Sequence, residues 1–293
     1  MRVTQTMMLN SALASEGRAA SNMAVLTEQA SSGLRVEEPS DDPSAYAWLV
    51  QQNQQIATVQ ARSSAASRAS SDLDLASGAL DQATSVLSKA RALAVQGADG
   101  GWSDDARADA ATEVDSLRQE LIGLANTTGS TGYLFGGTNT ATPPVDSNGN
   151  FSGNDGTTEI EIAHGVTAPS NADGAQAFTS AGGIDVFAAM ANLSAALRSN
   201  DQAAMPGCLN AITAAGTQVV AAEVETGQRS ASLKSATDVM NSTLTTLQIV
   251  KGDTANADAP TTLSNLQAAQ TAYQQALEVN KNILSLAYSS SGT

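Results

Sequence analysis

Cysteine and histidine occur once each, as Cys208 and His164, so the chain can form neither an internal disulfide nor a Cys/His zinc cluster. Aromatic residues make up 3% of a chain that is 42% hydrophobic, which leaves Ala, Leu and Val as its main apolar material. Small aliphatic side chains suit close helix–helix contact along a thin rod better than a thick globular core. Lysine is scarce: Lys89, Lys234, Lys251 and Lys281 are scattered, and the formal net charge is −15. Phosphate binding needs clustered cations, so nucleic acid is excluded as a partner. No apolar run approaches the ~20 residues that span a bilayer, so no membrane insertion is expected. Met1 to Glu16 lacks the apolar stretch of a secretory leader, which taken alone predicts a cytosolic protein.

What the chain does have is helical periodicity, and its two ends read alike. From Leu9 a spacing of three and four runs through Leu13, Ala20, Met23, Ala30 and Leu34. At the other end Leu263, Leu266, Gln270, Tyr273, Leu277, Asn280, Leu284 and Ala287 keep the same spacing for more than three heptads. Each stripe is too narrow to be buried by its own helix, so the two need each other or neighbouring molecules. Leu9, Leu13, Met23, Leu34, Leu263, Leu266, Tyr273, Leu277 and Leu284 are therefore the candidate assembly seam. Glu16, Thr27, Gln270 and Asn280 interrupt it, and polar seam residues lower stability while fixing register.

Between these ends lie longer helices. Pro39, Ser40, Asp41, Asp42 and Pro43 form a corner, in which Asp42 serves as N-cap and Pro43 as first helical residue. A seven-residue beat then runs through Leu49 and Ile56, and on through Val59, Ala66, Leu73, Leu80 and Leu87 as far as Gln96. About 50 helical residues at 1.5 Å each make a rod of roughly 75 Å. Glycines from Gly97 to Gly101 stop this helix, and Ser103, Asp104 and Asp105 cap the next, which ends near Asn126. A fourth segment runs from about Leu209 to Val250. From Gly136 to about Gly183 the helical period gives way to turn pairs, Asn148-Gly149 and Asp155-Gly156, and to period-two alternation over Thr158 to Ala163. The fold class is mainly α: an elongated helical rod whose N- and C-terminal helices pair as a coiled coil, with a small β-rich insertion. Three domains follow: 1–40 with 255–293 as the inner coiled coil, 41–135 with 186–254 as the long-helix rod, and 136–185 as the outer insertion.

Catalytic chemistry has little to hold on to, and no enzyme activity, cofactor or metal is implied. Asp41-Asp42 and Asp104-Asp105 could serve as paired carboxylates, yet each pair sits where a helix begins and the macrodipole favours negative charge. His164 has no second histidine or cysteine in its segment to work with and reads as a surface loop residue. Cys208 reads as a small, partly buried thiol. Gly136-Gly137 is followed by no Lys-Ser/Thr and is not a phosphate cradle. Trp48 and Trp102 lie beside helix starts, where they anchor corners, and Tyr273 and Tyr288 read as seam residues.

Two blocks carry a resemblance. Glu28 to Pro43 reads Glu-Gln-Ala-Ser-Ser-Gly-Leu-Arg-Val-Glu-Glu-Pro-Ser-Asp-Asp-Pro, and Leu121 to Thr138 contains Ile-Gly-Leu-Ala-Asn-Thr-Thr and Tyr-Leu-Phe-Gly-Gly-Thr. Both resemble the flagellin-like axial proteins of the bacterial flagellum. The Pro39 to Pro43 version, like the opening Met1 to Met8, is similar to the branch at the hook–filament junction. Asn282 to Leu286 is also similar to the end of a filament flagellin. The resemblance implies a structural subunit that leaves the cell unfolded through the flagellar export channel without a cleaved signal peptide, which replaces the cytosolic expectation. It implies a helical ring of copies of the chain itself, set between an upstream hook-associated junction protein and the flagellin of the filament. An export chaperone would hold the C-terminal region beforehand. A filament flagellin is the nearest alternative, and a secreted surface-binding module that uses the insertion is a more distant one.

Overall fold

A computed structural model describes residues 5–99 and 101–291. Seven helices are seen among them: α1 (Gln5–Ser32), α2 (Pro43–Gly97), α3 (Asp104–Ala125), α4 (Gly174–Phe178), α5 (Val186–Arg198), α6 (Met205–Ala255) and α7 (Ala259–Ser291). Four short strands, β1 (Thr128–Gly129), β2 (Gly132–Tyr133), β3 (Glu159–Ala163) and β4 (Val166–Pro169), form two antiparallel hairpins. None of the helices is long and apolar enough to cross a membrane. The chain divides into two compact units, Met1–Ala57 with Leu244–Thr293 and Thr58–Thr243. Both α2 and α6 contribute to each unit.

The second unit holds the larger core. On α2 the seven-residue beat places Ala66, Leu73, Leu80, Leu87 and Ala94 in the interior. Within this unit α2 and α6 run antiparallel, joined by Ser63 Oγ to Asn241 Oδ1 (2.9 Å), Lys234 to Asp74 (2.7 Å) and Arg91 Nε to Thr213 Oγ1 (3.2 Å). Ser103 caps α3 through the Ala106 amide, and Val114, Leu117 and Leu121 are buried as their spacing requires. The turn between α2 and α3 is tied by the buried Arg107, whose guanidinium donates to the carbonyls of Gly97, Asp99 and Trp102.

The β-rich insertion has no core of its own. Its buried side chains belong to the same cluster as those of the helices. Phe135 meets Phe178 edge to face at 5.3 Å, and Phe178 meets Phe187 of α5 at 5.7 Å. Gly174 is obligatory there, because a Cβ would stand 2.0 Å from the Phe135 carbonyl oxygen. Helix α5, whose Val186, Met190, Leu193 and Leu197 are spaced four, three and four, is an element the sequence reading did not single out. Its Val186, Phe187, Met190, Leu193 and Leu197 are all buried. The β1–β2 hairpin is held to α2 by Asp72, which accepts from the Ser130 amide (2.8 Å) and hydroxyl (2.5 Å). At the β3–β4 turn His164 projects into solvent beside Gly165, and Arg62 of α2 pairs with Glu161 at 2.8 Å.

Candidate assembly interface

The first unit is built on α1 and α7, which lie antiparallel, with Glu16 opposite Asn280 and Leu34 bridged to Asn256. Facing one another are Leu9, Ala12, Glu16, Ala19, Met23 and Leu26 on α1, and Thr262, Leu266, Ala269, Tyr273, Ala276, Asn280 and Ile283 on α7, all buried or half-buried. The α7 set is spaced 4-3-4-3-4-3, an unbroken heptad seam. Asn280 is only 5% exposed; its Nδ2 donates to Glu16 Oε2, while its Oδ1 has no partner. A polar pair inside a narrow seam fixes which residues stand opposite one another.

The candidate seam residues divide into two groups. Leu9, Met23, Leu34, Leu266 and Tyr273 are half-buried, with Leu9, Met23, Leu266 and Tyr273 in the α1/α7 contact and Leu34 at its bridge to Asn256. Leu13 (50% exposed), Leu263 (53%), Leu277 (41%) and Leu284 (41%) stay outside it. The seam therefore takes one heptad position of each stripe as the spacing predicts, and at the other position lies one residue earlier. Alanine at that position lets the helix axes come closer than leucine would, toward the lower end of the usual 8–10 Å. The displaced leucines Leu263, Leu277 and Leu284, with Gln270 between the first two, form a second stripe on α7 at seven-residue spacing, and all four are exposed. Met7, Met8 and Val25 on α1 are exposed as well. Ala287 and Tyr288 have side chains outside the described residues, as does the opening Met1 to Thr4.

The corner between α1 and α2 is tied down by both backbone and side chains. Gly33, at φ +72°, ends α1 with its amide on the Gln29 carbonyl (3.0 Å), a left-handed conformation that glycine adopts without steric cost. The chain then runs beside the end of α6: Arg35 N donates to Ala255 O (2.7 Å), Ala257 N to Gly33 O (2.9 Å), and the Arg35 guanidinium to Thr254 O (2.9 Å). Val36, Leu49 and Ala255 form a small core flanked by Trp48. Pro39 lies in a turn closed by the Asp41 amide on Glu38 O (3.1 Å), and Ser40 donates to Glu38 at 3.2 Å. Asp41 accepts the amides of Glu37 (3.0 Å) and Glu38 (2.9 Å). Asp42 accepts those of Ser44 (3.1 Å) and Ala45 (3.0 Å), capping α2 just before Pro43, and stands 3.5 Å from Arg35. Arg35 was not singled out from the sequence, since its partner Thr254 lies 219 residues away.

These contacts favour ionised carboxylates. The Glu38 and Glu37 amides lower the Asp41 pKa below its ordinary 3.8, and the Ala45 amide, the Ser44 hydroxyl and Arg35 lower that of Asp42. Groups with depressed folded values contribute stability that is complete above the unfolded pKa and is lost as pH falls through the folded one. In a Trp102→Phe variant, Trp48 emission should hold steady above about pH 4 and shift to the red below it. Asp41→Asn with Asp42→Asn should abolish that acid transition; its persistence would assign it to other groups. The corner prolines make a separate prediction. Pro39→Ala with Pro43→Ala should leave a folded monomer, each change costing about 1 kcal/mol or less through the unfolded chain. The urea midpoint followed by Trp48 emission should fall only slightly, whereas a large fall would mean that the prolines hold the corner itself.

No group of three or more metal-ligating side chains is placed to hold an ion among the described residues. Cys208 is buried within α6, where burial and the nearby Asp201 charge raise its thiol pKa, making it a poor nucleophile.

Comparison with known proteins matches residues 3–140 to the bacterial flagellin N-terminal helical region. Flagellar hook-associated protein 3 of Salmonella typhimurium is 31% identical over 182 residues, covering 61% of this chain and 57% of that protein. Its counterpart of the same name in Escherichia coli is 39% identical over 118 residues, covering 40% of this chain and 37% of that one. The chain thus spans from over a third to little more than half the length of these curated relatives. A solved structure from Vibrio parahaemolyticus, provisionally assigned as a flagellar hook-associated protein, superposes with a TM-score of 0.68 at 26% identity, covering 74% of this chain and 100% of that one. Over residues 3–140 the chain is similar to the flagellin N-terminal helical region, and it is similar in both sequence and fold to flagellar hook-associated proteins.

Proposed function

We propose that this chain is a structural subunit of the bacterial flagellum, forming the junction between hook and filament. The observation that carries the reading is the doubled stripe on α7. One stripe is filled by α1, and the other, Leu263, Leu277 and Leu284 with Gln270 between them, stays exposed among the described residues. A subunit whose second seam is completed only by neighbours is soluble alone and ordered when stacked, and repetition of one heterologous contact builds a tube or ring. In this reading α1 and α7 line the central channel, and the ring stands between an upstream hook-associated junction protein and the flagellin of the filament. The similarity to hook-associated protein 3 supports that position. Location on the external flagellum, unfolded export without a cleaved signal peptide, and a chaperone holding the C-terminal region before export belong to the same proposal.

Deleting the gene tests it. Mutant cells should carry hooks without filaments and release flagellin into the medium; normal filaments would overturn the reading. A second reading, filament flagellin, draws on the match to the flagellin N-terminal region. It requires the purified protein to grow long filaments without other components.

A further inference from the structure

A groove on the second unit carries an inference that rests on the proposed function and extends it. Between α2 and α6 lies an open groove of about 420 Å³, bordered by Thr84, Ser88 and Arg91 on one side and Gly216, Thr217 and Val220 on the other. Positions 84, 88 and 91, like 213, 217 and 220, are spaced four and three, so both helices turn a heptad-type edge toward it, the geometry that receives a third helix. Gly216 has nothing within 4 Å of where a Cβ would stand, so this chain's own packing gives no reason for glycine. In a helix interior glycine costs about 0.5–1 kcal/mol relative to alanine, and close approach of an outside backbone is a physical reason to keep it.

The same unit carries a matching surface. Asp105, Asp109 and Glu113 on α3 are exposed, four residues apart, and make no ion pair among the described residues. Like charges at that spacing weaken a helix unless a cation neutralises them. Arg91, at the groove, donates to Thr213 and makes no ion pair among the described residues. Gly123, on α3 with these acidic residues, again has open space where a Cβ would be. We infer that the α2/α6 groove receives α3 of a second copy of this chain, with the acidic first half of α3 at Arg91. Groove and helix are different surfaces of one unit, so the contact is heterologous and propagates from copy to copy.

The test is cross-linking in flagella from cells whose sole copy carries Glu113→Cys and Thr217→Cys. Oxidation should yield a ladder of multimers of this chain from the double variant and none from either single variant; Cys208 is buried and present throughout. Arg91→Glu alone should lower filament retention about tenfold, and adding Asp109→Arg should restore it. Flagella that hold the protein at the hook tip but give no ladder, or a cross-link to a chain of different mass, overturn the groove assignment and leave the junction reading standing. Absence of the protein from flagella overturns both.

Discussion

Cells carrying Leu277→Asp together with Leu284→Asp should not swim, although the purified variant keeps the circular dichroism of the wild-type monomer. Both leucines are 41% exposed in the single chain and lie outside the α1/α7 seam. Exposed substitutions of this kind change monomer stability by about 0.5 kcal/mol or less. Stacking would bury the stripe, and each carboxylate would then enter an apolar contact unpaired, costing several kcal/mol per ion. Repetition around the proposed ring would multiply that penalty in every subunit. A matched pair of changes within the inner seam, Ala269→Asp with Ala276→Asp, should behave differently: it should part α1 from α7 and lower the helix content of the monomer itself. Normal swimming by the Leu277/Leu284 variant would place the assembly surface elsewhere.

Phe178→Ala should destabilise the second unit by about 3–5 kcal/mol, the range for emptying a buried aromatic site. Phe178 is fully buried and touches Phe135 and Phe187, so its removal opens a cavity where the insertion meets α5. In urea, followed by Trp102 fluorescence in a Trp48→Phe background, the unfolding midpoint should fall markedly. Because the insertion shares the helices' core, the helical signal should be lost in the same transition. An unchanged helical midpoint would mean that the insertion folds as an independent appendage.

The long helices were legible because each carries its own boundary signals. Asp42-Pro43 and Ser103 start helices where local hydrogen bonding requires, and the seven-residue beat in α2 continues until its apolar positions run out at Gln96. The β3 strand was legible from the alternation of Ile160 and Ile162. Less legible was the face chosen by α1 and α7. Weighting leucine over alanine selects Leu277 and Leu284, whereas the helices approach through Ala269 and Ala276 and are set by Glu16 with Asn280. Spacing did not decide between the two faces, since the leucine stripe contains Gln270 and the alanine stripe Thr262. The insertion's dependence on the helical core had no local signature at all, because Phe135, Phe178 and Phe187 meet only through tertiary packing.

Gold labelling of an epitope in the exposed His164–Gly165 turn, viewed on detached flagella, tests the central claim most directly. The account predicts one compact band of label where hook meets filament and none along the filament. Label spread along the filament, or absent from flagella altogether, would contradict it.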